Sequence, residues 1–343
     1  MAYSRLKQKA DIAGVRKLHR DGILNDAAFF AASRVLMPAS VWAAWADRML
    51  LFFGSALLLS GVIFFFAYNW AAMGRFLKFA LIESGIVVCV IASYVGGIRR
   101  IVGKVFLLSA SVLVGVLLAV YGQTYQTGAD AFELFLCWAV LIFGWAAVSD
   151  FAALWFVWLV IANTGIILYW YQVGGPYYGF GYESLCLLIA ALNGFFVFIS
   201  HFGSTELAEV SLLTSKPRWF RAVLLAATLA ALSLPTIDLM IDSYHAEDIT
   251  ILCAVAWALT AGGAYFCYRR KLPDMVPLAI IVTDACVILL VFIGKILLWD
   301  GDFYTSLHIL FFALIVLGVT SAAAFRLRKT ARDMAAETKG TES

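Results

Sequence analysis

From Arg48 to Phe325 the chain is a succession of apolar runs, each close to the length of a bilayer crossing and separated by short polar connections. A helix needs about 20 apolar residues to cross ~30 Å of hydrocarbon. About ten stretches qualify: 48–68, 76–97, 104–121, 131–149, 151–171, 183–201, 219–238, 249–268, 276–298 and 304–325. Hydrophobic residues make up 63% of the chain and charged residues 14%, whereas a soluble domain is roughly half apolar and a quarter charged. The expected fold is all-α, a polytopic integral membrane helix bundle. Residues 131–171 would form a single helix of ~60 Å, twice the core thickness, so a tight turn is expected at Ser149-Asp150.

Charge distribution sets the orientation. With the N-terminus cytoplasmic, 22 of the 25 Lys and Arg residues fall on the cytoplasmic side, and only Arg75, Lys78 and Lys295 fall opposite. Positive residues are retained on the cytoplasmic side, so both termini are expected there (N-in/C-in). The opposite face is acidic, with Asp130, Glu133, Glu183, Asp238 and Asp248 among its carboxylates. Exclusion of Lys and Arg alone leaves such a surface acidic.

Residues 1–46 form a separate unit, expected as a short cytosolic helical hairpin. Leu6, Ile12, Val15 and Leu18 recur at roughly helical spacing, Asp21-Gly22 breaks the pattern, and Asn25 or Asp26 can cap a second helix carrying Phe29, Phe30 and Val35. Its basic residues read as a positive flank lying against anionic lipid, and nucleic acid is not an expected partner. The transmembrane bundle occupies 47–326, and 327–343 is a basic cytosolic tail. The six cysteines are dispersed through apolar runs without a C-x-x-C, as small hydrophobes. No metal site, cofactor or catalytic signature is legible, and an enzyme is not expected.

Ionisable groups inside a span cost about 2.5–3.5 kcal/mol at mid-helix on insertion scales, so each needs a reason. Glu83 lies two turns into the second run, and Asp284 lies within the ninth. One reading makes them protonatable carboxylates along a path through the bundle; the other makes them carboxyls hydrogen-bonded to neighbouring helices. Asn163 and Asn193, at similar depth in runs five and six, are expected to hydrogen-bond across that pair. Ser111, Gly115 and Ala119 form a small-residue ridge that admits a close neighbour. The stretch Tyr121–Asp130 is unusually rich in hydrogen-bonding side chains, with Gln123, Tyr125 and Gln126 unexplained by turn chemistry. Asp130-Ala-Phe-Glu133 resembles a capping box. Asn69-Trp70 ends the first run on the same side, and Asn69, Trp70, Glu83, Gln123, Tyr125, Asp130 and Glu133 are the candidate ligand-binding residues.

Phe66-Ala-Tyr-Asn-Trp70, Gly122-Gln-Thr-Tyr-Gln-Thr-Gly-Ala-Asp130 leading into Leu134-Phe-Leu-Cys-Trp138, and the Leu18…Gly22-Ile-Leu24 hairpin occur in order. Over about residues 5–170 the chain resembles the bacterial membrane proteins grouped as domain of unknown function 2157. The resemblance implies a multi-pass protein of the bacterial inner membrane without an assigned activity. It supports Asn69, Trp70, Gln123, Tyr125 and Asp130 as positions of interest.

Two function classes follow. One is a transporter or permease-like protein for a small solute or lipid. The other is a non-transporting scaffold or sensor whose residues 1–46 contact a cytosolic protein. In either case the bilayer is the first partner. Topology is tested by reporter fusions: Gly174, Asp242 and Gly301 should report outside, and Arg270 and the C-terminus inside. A periplasmic C-terminus would overturn the assignment.

Overall fold

The structure, a computed structural model, describes residues 12–36, 68–126, 128–202, 217–241, 248–298 and 306–341, with isolated positions between 42 and 64. It divides into two units, Met1–Lys78 and Phe79–Ser343.

In the first unit, α1 (Ile12–Arg20) and α2 (Asp26–Leu36) form the expected hairpin. Gly22, at φ 73°, makes the break in a left-handed conformation that side-chain-bearing residues resist. Asn25 caps α2, its Oδ1 accepting from the Ala28 amide at 2.8 Å. His19 stacks on Phe29 at 4.6 Å and closes the hairpin. The start of that unit, 1–11, and most of the first expected span, 48–68, lie outside the described residues.

The remaining expected runs are all helices: α3 (Arg75–Gly96), α4 (Ile101–Tyr125), α5 (Ala131–Ser149), α6 (Ala152–Tyr169), α7 (Tyr182–Phe202), α8 (Arg218–Ile241), α9 (Asp248–Phe266), α10 (Met275–Leu298) and α11 (Ser306–Thr341). Among the described residues nine helices are long and apolar enough to cross a membrane, and there is no strand. Within hydrocarbon every backbone amide must be satisfied inside its own segment, which leaves helix as the form available to such runs.

Three boundaries differ from expectation. The polar stretch does not begin as a loop: Tyr121–Tyr125 form the last turns of α4. Nothing in Leu118–Tyr125 breaks a helix apart from Gly122, and the chain turns only at Gln126 (φ 45°) and Gly128 (φ 65°). Helix α6 continues through a π-helical turn, Trp170–Gly174. The last helix does not stop near Phe325. Residues 326–341 are mostly strong helix formers, and α11 runs unbroken to Thr341. Leu327 and Met334 pack on the bundle, and Arg269 Nη2 pairs with Asp333 Oδ2 at 3.7 Å. The turn at Ser149-Asp150 is present: Asp150 takes φ 44°, and its carbonyl accepts from Lys104 Nζ at 3.0 Å.

Helix α8 is the axis of the second half, packing against α7, α9 and α10. Phe220, Leu224, Leu225, Leu229 and Leu232 are buried along it. Phe220 and Leu224 join Leu107 of α4, Ala146 of α5, Trp155 of α6 and Phe196 of α7 in one core; Leu225 and Leu229 join Ala261, Tyr268 and Leu278 in the next.

The expected small-residue ridge on α4 meets α5. A Cβ at Gly115 would lie 2.4 Å from Cζ2 of Trp138, whose Nε1 donates to the Ser111 carbonyl at 2.7 Å. One indole thus fills the groove and supplies a hydrogen bond in it. Gly115→Ala is expected to destabilise by about 1–3 kcal/mol through overpacking, read as a lower unfolding temperature in detergent. An unchanged midpoint would show that α4 and α5 do not approach this closely.

Candidate functional site

Among the described residues of the second unit, the polar candidates do not gather into one site. Glu83 is exposed on α3. The expectation that it faces other helices is not met among the described residues. Buried Ile82 and Ser93 are eleven residues apart on one line of that helix, and Glu83 stands about 100° around from Ile82. Gln123 is exposed as well. Tyr125 is 48% exposed too, although its ring stacks on Phe79 at 5.9 Å and lies 4.9 Å from Tyr121. Asn69 and Trp70 belong to the first unit, where Asn69 is half-buried and Lys78 Nζ sits 5.0 Å above the Trp70 ring.

The capping box is replaced by another device. Asp130 occupies the N-cap position of α5, but its side chain makes no capping hydrogen bond, and both Asp130 and Glu133 are exposed. The Phe132 amide donates to Gln172 Oε1, 3.2 Å away at the end of α6. A side chain 40 residues distant thus satisfies the orphan amide that the local motif leaves open.

Asn163 and Asn193 meet as expected. Asn193 Nδ2 donates to Asn163 Oδ1 at 2.9 Å, and Asn163 Nδ2 donates to Asn193 Oδ1 at 3.3 Å. Each amide also donates to its own helix, to Leu159 O at 2.7 Å and Ile189 O at 2.8 Å. Both protons of each amide group are used, and Asn193 is 2% exposed. This is a structural tie between α6 and α7.

Asp284 is the most elaborated group. Ser233 Oγ of α8 lies 2.7 Å from its Oδ1, and Trp257 Nε1 of α9 donates to its Oδ2 at 2.6 Å. Three helices therefore converge on one carboxyl. It borders a hollow of about 650 Å³ lined by Ala226, Leu229, Ala279, Ile280 and Thr283. Neither Ser233 nor Trp257 is among the candidates read from sequence, though both carried a signal. Ser233 sits two residues before Pro235 inside a span. Trp257 lies mid-span, away from the headgroup layer where tryptophan concentrates.

A second cavity, of about 470 Å³, opens between α7, α8 and α9. Small side chains make it: Ala190 and Gly194 on α7, Gly263 and Ala264 on α9, facing Thr228 and Leu232 on α8. The Thr228 hydroxyl is committed to the Leu224 carbonyl at 2.8 Å, leaving a largely apolar interior.

The two ends of the second unit differ in charge. One carries Asp130, Glu133, Glu183, Asp238 and Asp248, with the Tyr182 hydroxyl donating to Asp238. At the other, Arg218 lies 4.0 Å from Asp274, and the Arg269–Asp333 pair joins α11 to the end of α9. Among the described residues no His, Cys, Asp and Glu cluster is arranged to hold a metal ion.

Residues 16–155 match the family model described as Predicted membrane protein (DUF2157). The resemblance drawn from the three motifs holds over that stretch, which runs from α1 into the start of α6. Asn69, Trp70, Glu83, Gln123, Tyr125, Asp130 and Glu133 lie inside it. Asn163, Asn193 and Asp284, with its partners, lie beyond it. No curated protein and no solved structure matches the chain. The protein is a multi-pass membrane protein of the all-α class.

The asparagine tie is tested by a double-mutant cycle. Asn163→Leu should cost ~1 kcal/mol, because Asn193 loses its cross-helix partner. Adding Asn193→Leu should recover part of that loss, since two apolar groups leave nothing unpaired. Strict additivity in detergent unfolding would rule the tie out.

Proposed function

We propose that the protein is a permease-like protein of the bacterial inner membrane that handles a lipid or small apolar solute. The observation that carries this reading is the cavity between α7, α8 and α9. Its walls are mostly apolar, Thr228, Thr260 and Tyr268 being the hydroxyl-bearing residues among them, and the hydroxyl of Thr228 is already spent within α8. A space of that character at the depth of the hydrocarbon suits an acyl chain or a similarly apolar molecule, and offers an anionic or strongly hydrated solute no charged group in exchange for its water. Glu83 and the Tyr121–Asp130 stretch, which are separate and largely exposed, do not enter the proposal.

The scaffold or sensor reading has its own support in the hairpin. Ile23, Phe30 and Val35 are 70%, 60% and 79% exposed there, an apolar surface of the kind that partners cover.

Vesicles reconstituted with the protein and a headgroup-labelled phospholipid distinguish the two. Wild-type protein should accelerate access of an external quencher to inner-leaflet label, and Gly263→Leu should return the rate to that of protein-free vesicles. A Cβ at Gly263 meets nothing within 4 Å, so the larger side chain fills the cavity without opposing the fold. A wild-type rate equal to that of empty vesicles would remove the lipid-moving reading. Loss of a deletion-complementing phenotype on removal of 1–46, with Gly263→Leu silent, would favour the scaffold.

A further inference from the structure

Asp284 is the tenth residue of a 24-residue helix, ~14 Å along the axis from Met275 at 1.5 Å per residue. Its hydrogen bonds can be counted proton by proton. Trp257 Nε1 is only a donor, so Oδ2 is an acceptor. Ser233 Oγ lies 2.7 Å from Oδ1 and also 2.7 Å from the Leu229 carbonyl oxygen. The hydroxyl has one proton, and a carbonyl can only accept. If Asp284 were ionised, Oδ1 and Leu229 O would compete for that single proton, leaving one pair of oxygens in close contact without a hydrogen between them. With a proton on Oδ1 every contact is satisfied: Oδ1–H donates to Ser233 Oγ, and Ser233 O–H donates to Leu229 O.

The surroundings supply no counter-charge. Among the described residues no Lys, Arg, His or second carboxyl is in ion-pair or hydrogen-bond contact with Asp284. Helix α8 presents Ser233, and Asp238, five residues on, is engaged by Tyr182. Helix α9 presents Trp257, and Cys253, one turn away, donates to the Glu183 carbonyl at 3.7 Å. On α10 itself Thr283 and Cys286 are neighbours, and Lys295 is eleven residues further along. Helix α11 brings Leu327 to the hollow, and Arg326 lines a separate one beside Cys286.

We infer that Asp284 is a proton-binding site whose resting form is the neutral acid, with Ser233 as the hydroxyl whose direction follows the proton. On release, the proton passes to a water molecule that enters the hollow beside Thr283, and the Ser233 O–H turns from Leu229 O to the new carboxylate, which keeps its hydrogen bond from Trp257. The negative charge stays on Asp284 in an apolar setting, which is costly without water. Proton release is thereby tied to the direction of the Ser233 hydroxyl in the contact between α8 and α10. The inference does not depend on the permease reading, because it concerns that contact alone.

Infrared spectroscopy of the full chain in detergent at neutral pH tests it, together with thermal unfolding across pH. Wild type should show a protonated-carboxyl carbonyl band that shifts in heavy water and is missing in Asp284→Asn. The asparagine reproduces the neutral acid's pattern, with Nδ2–H to Ser233 and Oδ1 accepting from Trp257. The folded wild type holds a proton that the unfolded chain releases, so its stability relative to Asp284→Asn should fall as pH rises. Should the asparagine variant not fold, Ser233→Ala serves: the band should persist and move to higher frequency as its acceptor is lost. Absence of an Asp284-dependent band at neutral pH, a band that Ser233→Ala leaves unmoved, or parallel pH–stability curves would each overturn the inference.

Discussion

A polar group inside hydrocarbon has no water to turn to, and the second unit is stitched together by that constraint. Trp138 of α5 donates to Ser111 O of α4, and Trp158 of α6 donates to Ala139 O of α5 at 2.8 Å. Asn163 and Asn193 join α6 to α7. Tyr182 joins α7 to α8 through Asp238, and Asp284 joins α10 to both α8 and α9. Packing between lipid-immersed helices gains little from the hydrophobic effect, because lipid tails are as apolar as leucine. These ties therefore have an outsized part in fixing which faces meet.

Tryptophan is the recurrent instrument. Trp138, Trp158 and Trp257 all sit away from the helix ends, and each spends its indole N–H on an acceptor from another helix. The Trp138 ring also occupies volume that Gly115 leaves open. An indole that both fills a groove and satisfies an acceptor specifies register more sharply than an aliphatic side chain of similar size. Helix α8 is the most buried of the candidate spans.

The cavity between α7, α8 and α9 and the Asp284 network lie on different faces of α8. One is an apolar space without a free polar group at Thr228; the other is a polar knot beside a hollow. Helix α8 is the element common to both. That element also carries Pro235, which removes one backbone hydrogen bond from its interior.

The sequence by itself determined the helical class, the run boundaries to within a few residues for most spans, the turn at Asp150 and the asparagine pair. Each follows from a local rule: apolar length against bilayer thickness, a turn needed to halve an overlong run, and two amides at matched depth. It also marked Asp284 as a group that needed partners. Only the tertiary structure decided what those partners are. Ser233 and Trp257 lie 51 and 27 residues away, and no periodicity links them. The same limit explains the errors. Glu83 and Gln123 looked constrained because polar groups near a membrane need partners, yet the rotation of a helix about its axis is set by its neighbours. Asp130 stands at the N-cap, as local spacing suggests, but its side chain makes no capping hydrogen bond, and the Phe132 amide is served by Gln172 from another helix. Depth in the membrane is written along the chain, whereas the direction a side chain faces is settled by packing between segments.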